Sequence, residues 1–151
     1  MKVLSLILFV SLNAFAMEYK QVGTYLLEYS IFKIDVYQIT YFKNGQSEKL
    51  ELVYKTDVKK KYSQEGWRVG LKHLIDQEDM KEKINWLLDN SVDVKSGDKL
   101  SIIKTDDRVQ LFKNDILLAQ VQDKVIARLA FEPWLGEKPV SEELKKSLLN
   151  I

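Results

Sequence analysis

Apolar and polar residues alternate in two runs between Phe32 and Tyr54, where the chain reads FKIDVYQITYFKNGQSEKLELVY. Alternation with a period of two predicts β-strands whose successive side chains point to opposite faces of a sheet. The runs are joined by Asn44-Gly45, a dipeptide that favours a two-residue hairpin loop because both residues adopt positive φ readily. The pattern predicts a β-hairpin around which the rest of the fold is arranged.

A loop at Asn44-Gly45 fixes which residues of the hairpin face one another. The expected opposite pairs are Ile39 with Leu50, Tyr37 with Leu52, and Asp35 with Tyr54. One face of the hairpin then carries Asp35, Tyr37, Ile39, Tyr41, Leu50, Leu52 and Tyr54. Because most of these side chains are apolar, we expect the remainder of the chain to cover this face and leave the other face partly exposed to solvent.

An amphipathic helix is predicted after the hairpin, with Asp57 as its N-cap and Val58 as its first residue. Its stripe recurs every four residues, as Val58, Tyr62, Gly66, Gly70 and Leu74, flanked by Trp67, Leu71 and Ile75. Glycine inside a helix costs about 1 kcal/mol relative to alanine. On the buried stripe, Gly66 and Gly70 therefore indicate either close approach of the helix to the sheet or room for something beside it.

The remaining elements follow from capping and turn residues. Asp79 and Glu82 have the spacing of a capping box, which predicts a second helix with Ile84, Leu87 and Leu88 inward. Strands are predicted at residues 23–30 before the hairpin and at 99–104, 108–113 and 116–122 after the second helix. Asp123 predicts a third helix over 124–131 that Pro133 ends, and Ser141 predicts a final helix with Leu144, Leu148 and Ile151 inward. Together these patterns predict an α+β domain, an antiparallel sheet of about six strands with helices on one face.

The first 16 residues have a different character. Lys2 is followed by an apolar run that ends in Ala14-Phe15-Ala16, a pattern typical of a cleaved secretory signal peptide. We expect residues 1–16 to be the signal peptide, residues 17–151 to be the mature domain, and the protein to be periplasmic or secreted. No spanning helix is expected in the mature chain, since that needs about 20 apolar residues.

Charge and composition exclude several function classes. Loss of Lys2 lowers the 23 basic residues by one, to equal the 22 acidic ones. A balanced charge does not favour nucleic-acid binding. The sequence has no cysteine and one histidine, His73, which we expect at the surface. No motif for a nucleophile, metal or phosphate-binding loop occurs, so no catalytic residue, metal or cofactor is predicted.

Two polar residues on the covered face of the hairpin suggest a binding site instead. Asp35 and Tyr37 point to that face, where a carboxylate must be paired or hydrated. Arg68, next to the helix stripe, is the candidate partner of Asp35. We predict a cleft whose mouth is lined by Asp35, Tyr37 and Arg68 and whose apolar wall includes Tyr25 and Trp67. The alternative is that Asp35 lies at the sheet edge and the Tyr37 hydroxyl reaches water.

The order of elements and several short motifs resemble the chalcone isomerase fold, specifically its exported bacterial members. The motifs are Val36-Tyr37, Thr40-Tyr41, Ser63, Trp67, Gly97-Asp98-Lys99-Leu100, Asn114, Trp134-Leu135-Gly136-Glu137-Lys138-Pro139-Val140, Leu144 and Leu148-Leu149. Pro133 departs from the pattern, in which an apolar residue precedes the tryptophan. The resemblance implies an open-faced sandwich with a cleft between sheet and helices. In the family that cleft either cyclises a chalcone or holds a fatty acid.

The resemblance also bears on activity. Both uses of the cleft depend on a first-strand arginine that receives an anionic group, and here Thr24 or Tyr25 stands at that place. The first hypothesis is therefore a non-catalytic protein that binds a small apolar or amphipathic, fatty-acid-like molecule. The alternatives are an intramolecular lyase or isomerase of the chalcone isomerase type, and an interaction module that docks another envelope protein through an exposed tail around Trp134. A Trp134 side chain buried between Pro133 and Pro139 would instead act as a lid on the core.

Overall fold

The computed structural model describes residues 18–29 and 34–151, and the expected signal peptide and the part of the first strand and hairpin at 30–33 lie outside them. Within the described residues, six antiparallel strands form one sheet whose spatial order follows the chain order. The strands are β1 (Lys20–Tyr29), β2 (Ile34–Asn44), β3 (Ser47–Tyr54), β4 (Lys99–Lys104), β5 (Arg108–Lys113) and β6 (Ile116–Gln122). The helices are α1 (Lys60–Gly70), α2 (Lys81–Asp89), α3 (Lys124–Leu129), α4 (Glu132–Leu135) and α5 (Glu142–Leu149). The predicted α+β class is confirmed.

The central hairpin forms, but its loop lies one residue later than predicted. Asn44 pairs with Ser47 at the end of the ladder, so the loop is Gly45-Gln46, with Gly45 at φ +52°. Glycine at the first loop position also suits a two-residue hairpin turn. The pairs are consequently shifted by two residues, and Ile39 faces Leu52 rather than Leu50. The predicted register was wrong.

A shift of two residues leaves every side chain on its predicted face, because the side-chain period of a strand is two. The predicted face is therefore the buried one, apart from Asp35, which is exposed. Its fully buried members include Ile39 and Leu50, both 0% exposed. β4 and β5 extend the same layer with Ile102, Val109 and Leu111. This layer and the inward faces of the helices form one hydrophobic core.

Two predicted helix starts were wrong. Asp57 does not cap α1, because its Oδ1 accepts a hydrogen bond from the Ser96 backbone N–H at 2.9 Å. Val58 forms a bridge with Val94 instead of entering the helix. α2 likewise begins after Met80 without any side-chain cap, so the capping box expected from Asp79 and Glu82 is not formed. The inward residues predicted for α2, namely Ile84, Leu87 and Leu88, are buried as expected.

The later caps are confirmed. The Asp123 carboxylate accepts from the backbone N–H groups of Val125 and Ile126, and the Ser141 hydroxyl accepts from Leu144. Pro133, however, does not end α3. That helix ends at Leu129, and Pro133 lies in the first turn of α4, where its missing N–H costs nothing.

The C-terminal helix is confirmed in all but its last inward residue. Leu144 and Leu148 of α5 are both 0% exposed. Ile151 follows the helix and is 85% exposed, which contradicts its expected inward position. α5 packs on β1 and β2, and its buried leucines belong to the same hydrophobic core as the sheet and the other helices.

Candidate ligand-binding cleft

A cleft of about 870 Å³ lies between the buried face of the sheet and the helices above it. The sheet contributes mainly apolar side chains: Leu27, Val36, Tyr37, Leu52, Tyr54, Leu100, Ile102 and Leu111. The opposite wall comes from α1, α4 and the segment after α2, and includes Tyr62, Ser63, Gly66, Trp67, Val69, Val92, Pro133 and Trp134. Its size and apolar lining are typical of a small-molecule site.

The cleft is partly open to solvent. Several large apolar residues that line it are also exposed: Tyr29, Ile34, Tyr62, Val69, Leu118 and Val140. Exposed apolar side chains that adjoin a single cavity, unlike scattered ones, mark surfaces that receive a ligand or partner. The arrangement gives an apolar molecule a route into the cleft.

The two glycines of α1 have different surroundings. A Cβ on Gly70 would lie 2.5 Å from Pro133 Cβ, so the end of α1 contacts α4 as closely as backbone permits. A Cβ on Gly66 would have no atom within 4 Å, and Gly66 lines the cleft. Gly70 is therefore closely packed, but against α4 rather than the sheet, and Gly66 is an exposed residue of the cleft lining with space beside it.

Four aromatic rings form a continuous cluster along the cleft, which we call the aromatic wall: Tyr54, Tyr37, Trp134 and Trp67. Tyr37 and Tyr54 are cross-strand partners with ring centroids 5.5 Å apart. Trp134 Nε1 donates a hydrogen bond to the Tyr37 hydroxyl at 2.9 Å. Trp67 packs edge-on against Trp134 at 5.4 Å. These contacts connect the sheet to both α1 and α4.

Burial keeps the two tyrosines of the aromatic wall neutral. It raises the pKa of Tyr37 to about 12, with the Trp134 hydrogen bond acting in the opposite direction. Burial also raises the pKa of Tyr54 well above its usual range, and the neighbouring Tyr37 adds to this. Both hydroxyls therefore remain protonated at physiological pH and can donate hydrogen bonds.

The structure places two of the five predicted site residues in the cleft lining, namely Tyr37 and Trp67. Tyr25 packs against the core opposite Ile39 and is not part of the lining. Asp35 is exposed at the start of β2, outside the lining, as the alternative interpretation expected. The Tyr37 hydroxyl does not reach bulk water, since it bonds to Trp134. Whether any of the five contacts a ligand stays a prediction.

The expected pairing of Arg68 with Asp35 was wrong. Arg68 Nη1 lies 3.4 Å from Glu65 Oε2, one turn earlier on the exposed side of α1. An i,i+3 pair on a helix surface forms from sequence neighbours alone. The His73 expectation was also wrong, because this residue is half-buried with Nε2 3.9 Å from Glu132 Oε2.

Tyr54, Ser63 and Trp134 are among the cleft residues that sequence reasoning missed as site residues. Tyr54 could have been found from its place on the predicted buried face of the hairpin, which it shares with Tyr37; the structure makes the two direct cross-strand partners. Trp134 lies 97 residues from Tyr37 in the chain, and no local signal joins them. It is 8% exposed, which confirms the expected burial and removes it as the anchor of an exposed docking tail.

The polar character of the cleft comes mostly from hydroxyl groups. Ser63 Oγ is buried and has no hydrogen-bond partner among the described residues. Among the residues that the structure describes, the charged members of the lining are Asp57 and Glu65, and no Lys, Arg or His belongs to it.

No group of His, Cys, Asp and Glu within the described residues could hold a metal ion. None of the helices in that part of the chain is long and apolar enough to cross a membrane.

The fold and the cleft define a class: an open-faced α+β sandwich with an apolar site between sheet and helices. A family model described as chalcone isomerase-like matches residues 29–150, and the protein belongs to that family. Among solved structures, the Arabidopsis thaliana fatty-acid binding protein AtFAP1 is similar, with a TM-score of 0.70 and 11% identity over 87% of each chain. At that identity the likeness shows a shared fold. No curated relative matches by sequence.

Proposed function

We propose that this protein binds a small, largely apolar or amphipathic molecule in the cleft without converting it chemically. The observation that carries the proposal is the cleft of about 870 Å³, apolar on both walls and open through exposed apolar residues. Burial of a ligand's apolar surface there contributes about 25 cal/mol per Å² before the costs of association. The similar fold of AtFAP1, a fatty-acid binding protein, supports this kind of ligand.

The absence of an arginine in β1 supports the non-catalytic part of the proposal. The strand reads KQVGTYLLEY. The Thr24 hydroxyl hydrogen-bonds the Ile39 carbonyl oxygen and the Thr40 hydroxyl, and Tyr25 lies outside the lining. Neither offers a positive charge to an anionic group.

We expect no chalcone cyclisation above the spontaneous rate, measured by chalcone absorbance against a buffer blank. Turnover that is lost in Tyr37→Phe would establish the isomerase alternative.

Blocking the cleft tests the binding itself. Gly66→Phe places a large side chain at an exposed position of the cleft lining, where a Cβ has no neighbour within 4 Å, and Gly66→Ala is its matched control at the same position. Binding of the neutral dye Nile red, and small molecules retained by the protein in native mass spectrometry, are compared among the three proteins. We expect the wild type and Gly66→Ala to bind and Gly66→Phe to bind at least tenfold more weakly, with unchanged far-ultraviolet circular dichroism. Equal binding by Gly66→Phe, or no binding by the wild type, would contradict the proposal.

Export is the second part of the proposal. Residues 1–16 have the basic start, apolar run and Ala14-Phe15-Ala16 end of a cleaved signal peptide. We expect the ligand-binding domain to act in the periplasm or outside the cell. N-terminal sequencing of protein recovered from the periplasm should begin at Met17. A chain that keeps its first 16 residues in the membrane fraction would contradict export.

A further inference from the structure

We infer that the cleft selects a neutral ligand with a hydrogen-bond-accepting oxygen, such as an ester or ketone, over a carboxylate with the same apolar body. The inference rests on the proposed binding function and specifies the chemistry of the ligand's polar end. It follows from the hydroxyl donors of the aromatic wall and from the charges of those lining residues that the structure describes.

The Tyr37 hydroxyl is arranged as a donor. Its oxygen accepts the hydrogen bond from Trp134 Nε1 at 2.9 Å, so its own proton is left for another acceptor. A hydroxyl that accepts one hydrogen bond donates a stronger one, because chains of hydrogen bonds polarise each other. Tyr54 lies beside it and hydrogen-bonds no other group of the described residues. Both hydroxyls can therefore donate to a ligand oxygen.

Ser63 adds a third hydroxyl on the opposite wall. A buried polar group without a partner is unfavourable, and such groups in native structures call for an explanation. Ser63 lies on α1, one turn before Trp67 of the aromatic wall. Ser63 is one of the residues that line the cleft, and an acceptor oxygen of a ligand that reaches its hydroxyl would satisfy it.

Among the residues that the structure describes, the charges of the lining disfavour an anion. A carboxylate that leaves water needs a cation or several hydrogen bonds to offset its lost hydration. The described lining offers two carboxylates, Asp57 and Glu65, and no basic side chain. Arg68, on the same helix as Glu65, is largely exposed and paired with it. An uncharged oxygen needs only the hydroxyl donors, which the aromatic wall supplies.

The test compares three probes that share a dodecyl-type chain: methyl dodecanoate, dodecanoate and dodecylammonium. Each probe is titrated into the full chain loaded with Nile red, and displacement of the dye is measured at pH 8, where dodecanoate is ionised. Partition of the same probes into phosphatidylcholine vesicles measures the preference that arises from hydrophobicity alone. We expect the protein's preference for the ester over the carboxylate to exceed that of the vesicles by at least tenfold. An equal or reversed preference, or tightest binding of the ammonium, would overturn the inference.

A pair of variants then assigns the preference to the aromatic wall. Tyr37→Phe should weaken ester binding about fivefold, the loss of one ordinary hydrogen bond. Tyr41→Phe is the matched control, since Tyr41 is a buried, hydrogen-bonded tyrosine of the same strand outside the lining. If Tyr37→Phe does not fold, Tyr54→Phe replaces it, with an expected weakening of at least twofold. Unchanged ester binding in the variant used would overturn the inference.

Failure of this inference and failure of the proposed function give different results. If no probe displaces the dye, and the dye itself does not bind, both are wrong. If dodecanoate binds with the higher relative affinity and Gly66→Phe abolishes that binding, the cleft is a ligand site with the opposite preference. In that case the proposed function stands and the inference of a neutral ligand falls.

Discussion

Alanine at the two glycines of α1 should have opposite effects on stability, although the residues lie one turn apart on the same helix. At Gly66 a methyl group meets no atom within 4 Å, so only the backbone changes its preference. Alanine is favoured over glycine inside a helix by about 0.5–1 kcal/mol. Gly66→Ala should therefore raise the free energy of unfolding by about that amount.

At Gly70 the same methyl group meets Pro133. The added Cβ would lie 2.5 Å from Pro133 Cβ and 2.8 Å from Pro133 Cγ, whereas carbon atoms pack best at about 3.5–4.0 Å. The proline ring is rigid, so α1 and α4 must separate to relieve the contact. Overpacking of this kind costs about 1–3 kcal/mol, which exceeds the helix gain. Gly70→Ala should therefore lower the free energy of unfolding by about 1 kcal/mol.

Urea unfolding of the wild type and both variants measures the difference. The midpoint should rise for Gly66→Ala and fall for Gly70→Ala at similar slopes, because each variant exposes similar surface on unfolding. Circular dichroism under native conditions controls for a change in helix content. A Gly70→Ala variant at least as stable as the wild type would show that α4 yields without cost. A destabilised Gly66→Ala would show that the space beside Gly66 is not open.

Three further substitutions test contacts of the aromatic wall and of a helix cap. Trp134→Ala removes a buried side chain that contacts Tyr37 and Trp67, and should cost about 3–5 kcal/mol in urea unfolding; an unchanged midpoint would mean that the side chain is exposed. Asp123→Ala removes the cap of α3 and should cost about 1 kcal/mol. Because the Lys83 hydrogen bond holds the pKa of Asp123 below its usual range, that cost should shrink as the pH falls through the folded pKa, as unfolding at several pH values would show. Burial raises the pKa of Tyr37 from 10.0 to about 12, so stability should decline as the pH rises through this window, and less steeply in Tyr37→Phe; identical pH profiles would contradict this.

Features encoded by neighbouring residues were predictable. The strands at 99–104, 108–113 and 116–122 have the predicted bounds, because apolar runs and turn residues alternate there without ambiguity. The caps Asp123 and Ser141 act on backbone N–H groups two or three residues ahead. Such interactions need no knowledge of the rest of the chain.

The candidate site was only partly predictable. Tyr37 and Trp67 were found because a covered strand face and a helix stripe each have a period that the sequence displays. Asp57 was misassigned as a helix cap, because a carboxylate before a helix can also bond a distant loop, here at Ser96. The hairpin register was misjudged by two residues, since Asn44-Gly45 and Gly45-Gln46 both allow a two-residue loop. Local turn chemistry does not choose between them.

The sequence by itself determined the α+β class, the order of the elements and the face of the hairpin that is buried. These depend on periodicity, and a two-residue error in register leaves periodicity intact. Only the tertiary structure decided that the helices leave a cleft. The contact of Gly70 with Pro133 and the hydrogen bond from Trp134 to Tyr37 set where α1 and α4 lie above the sheet. Both contacts join residues far apart in the chain, so they form only when the sheet and the helices pack together.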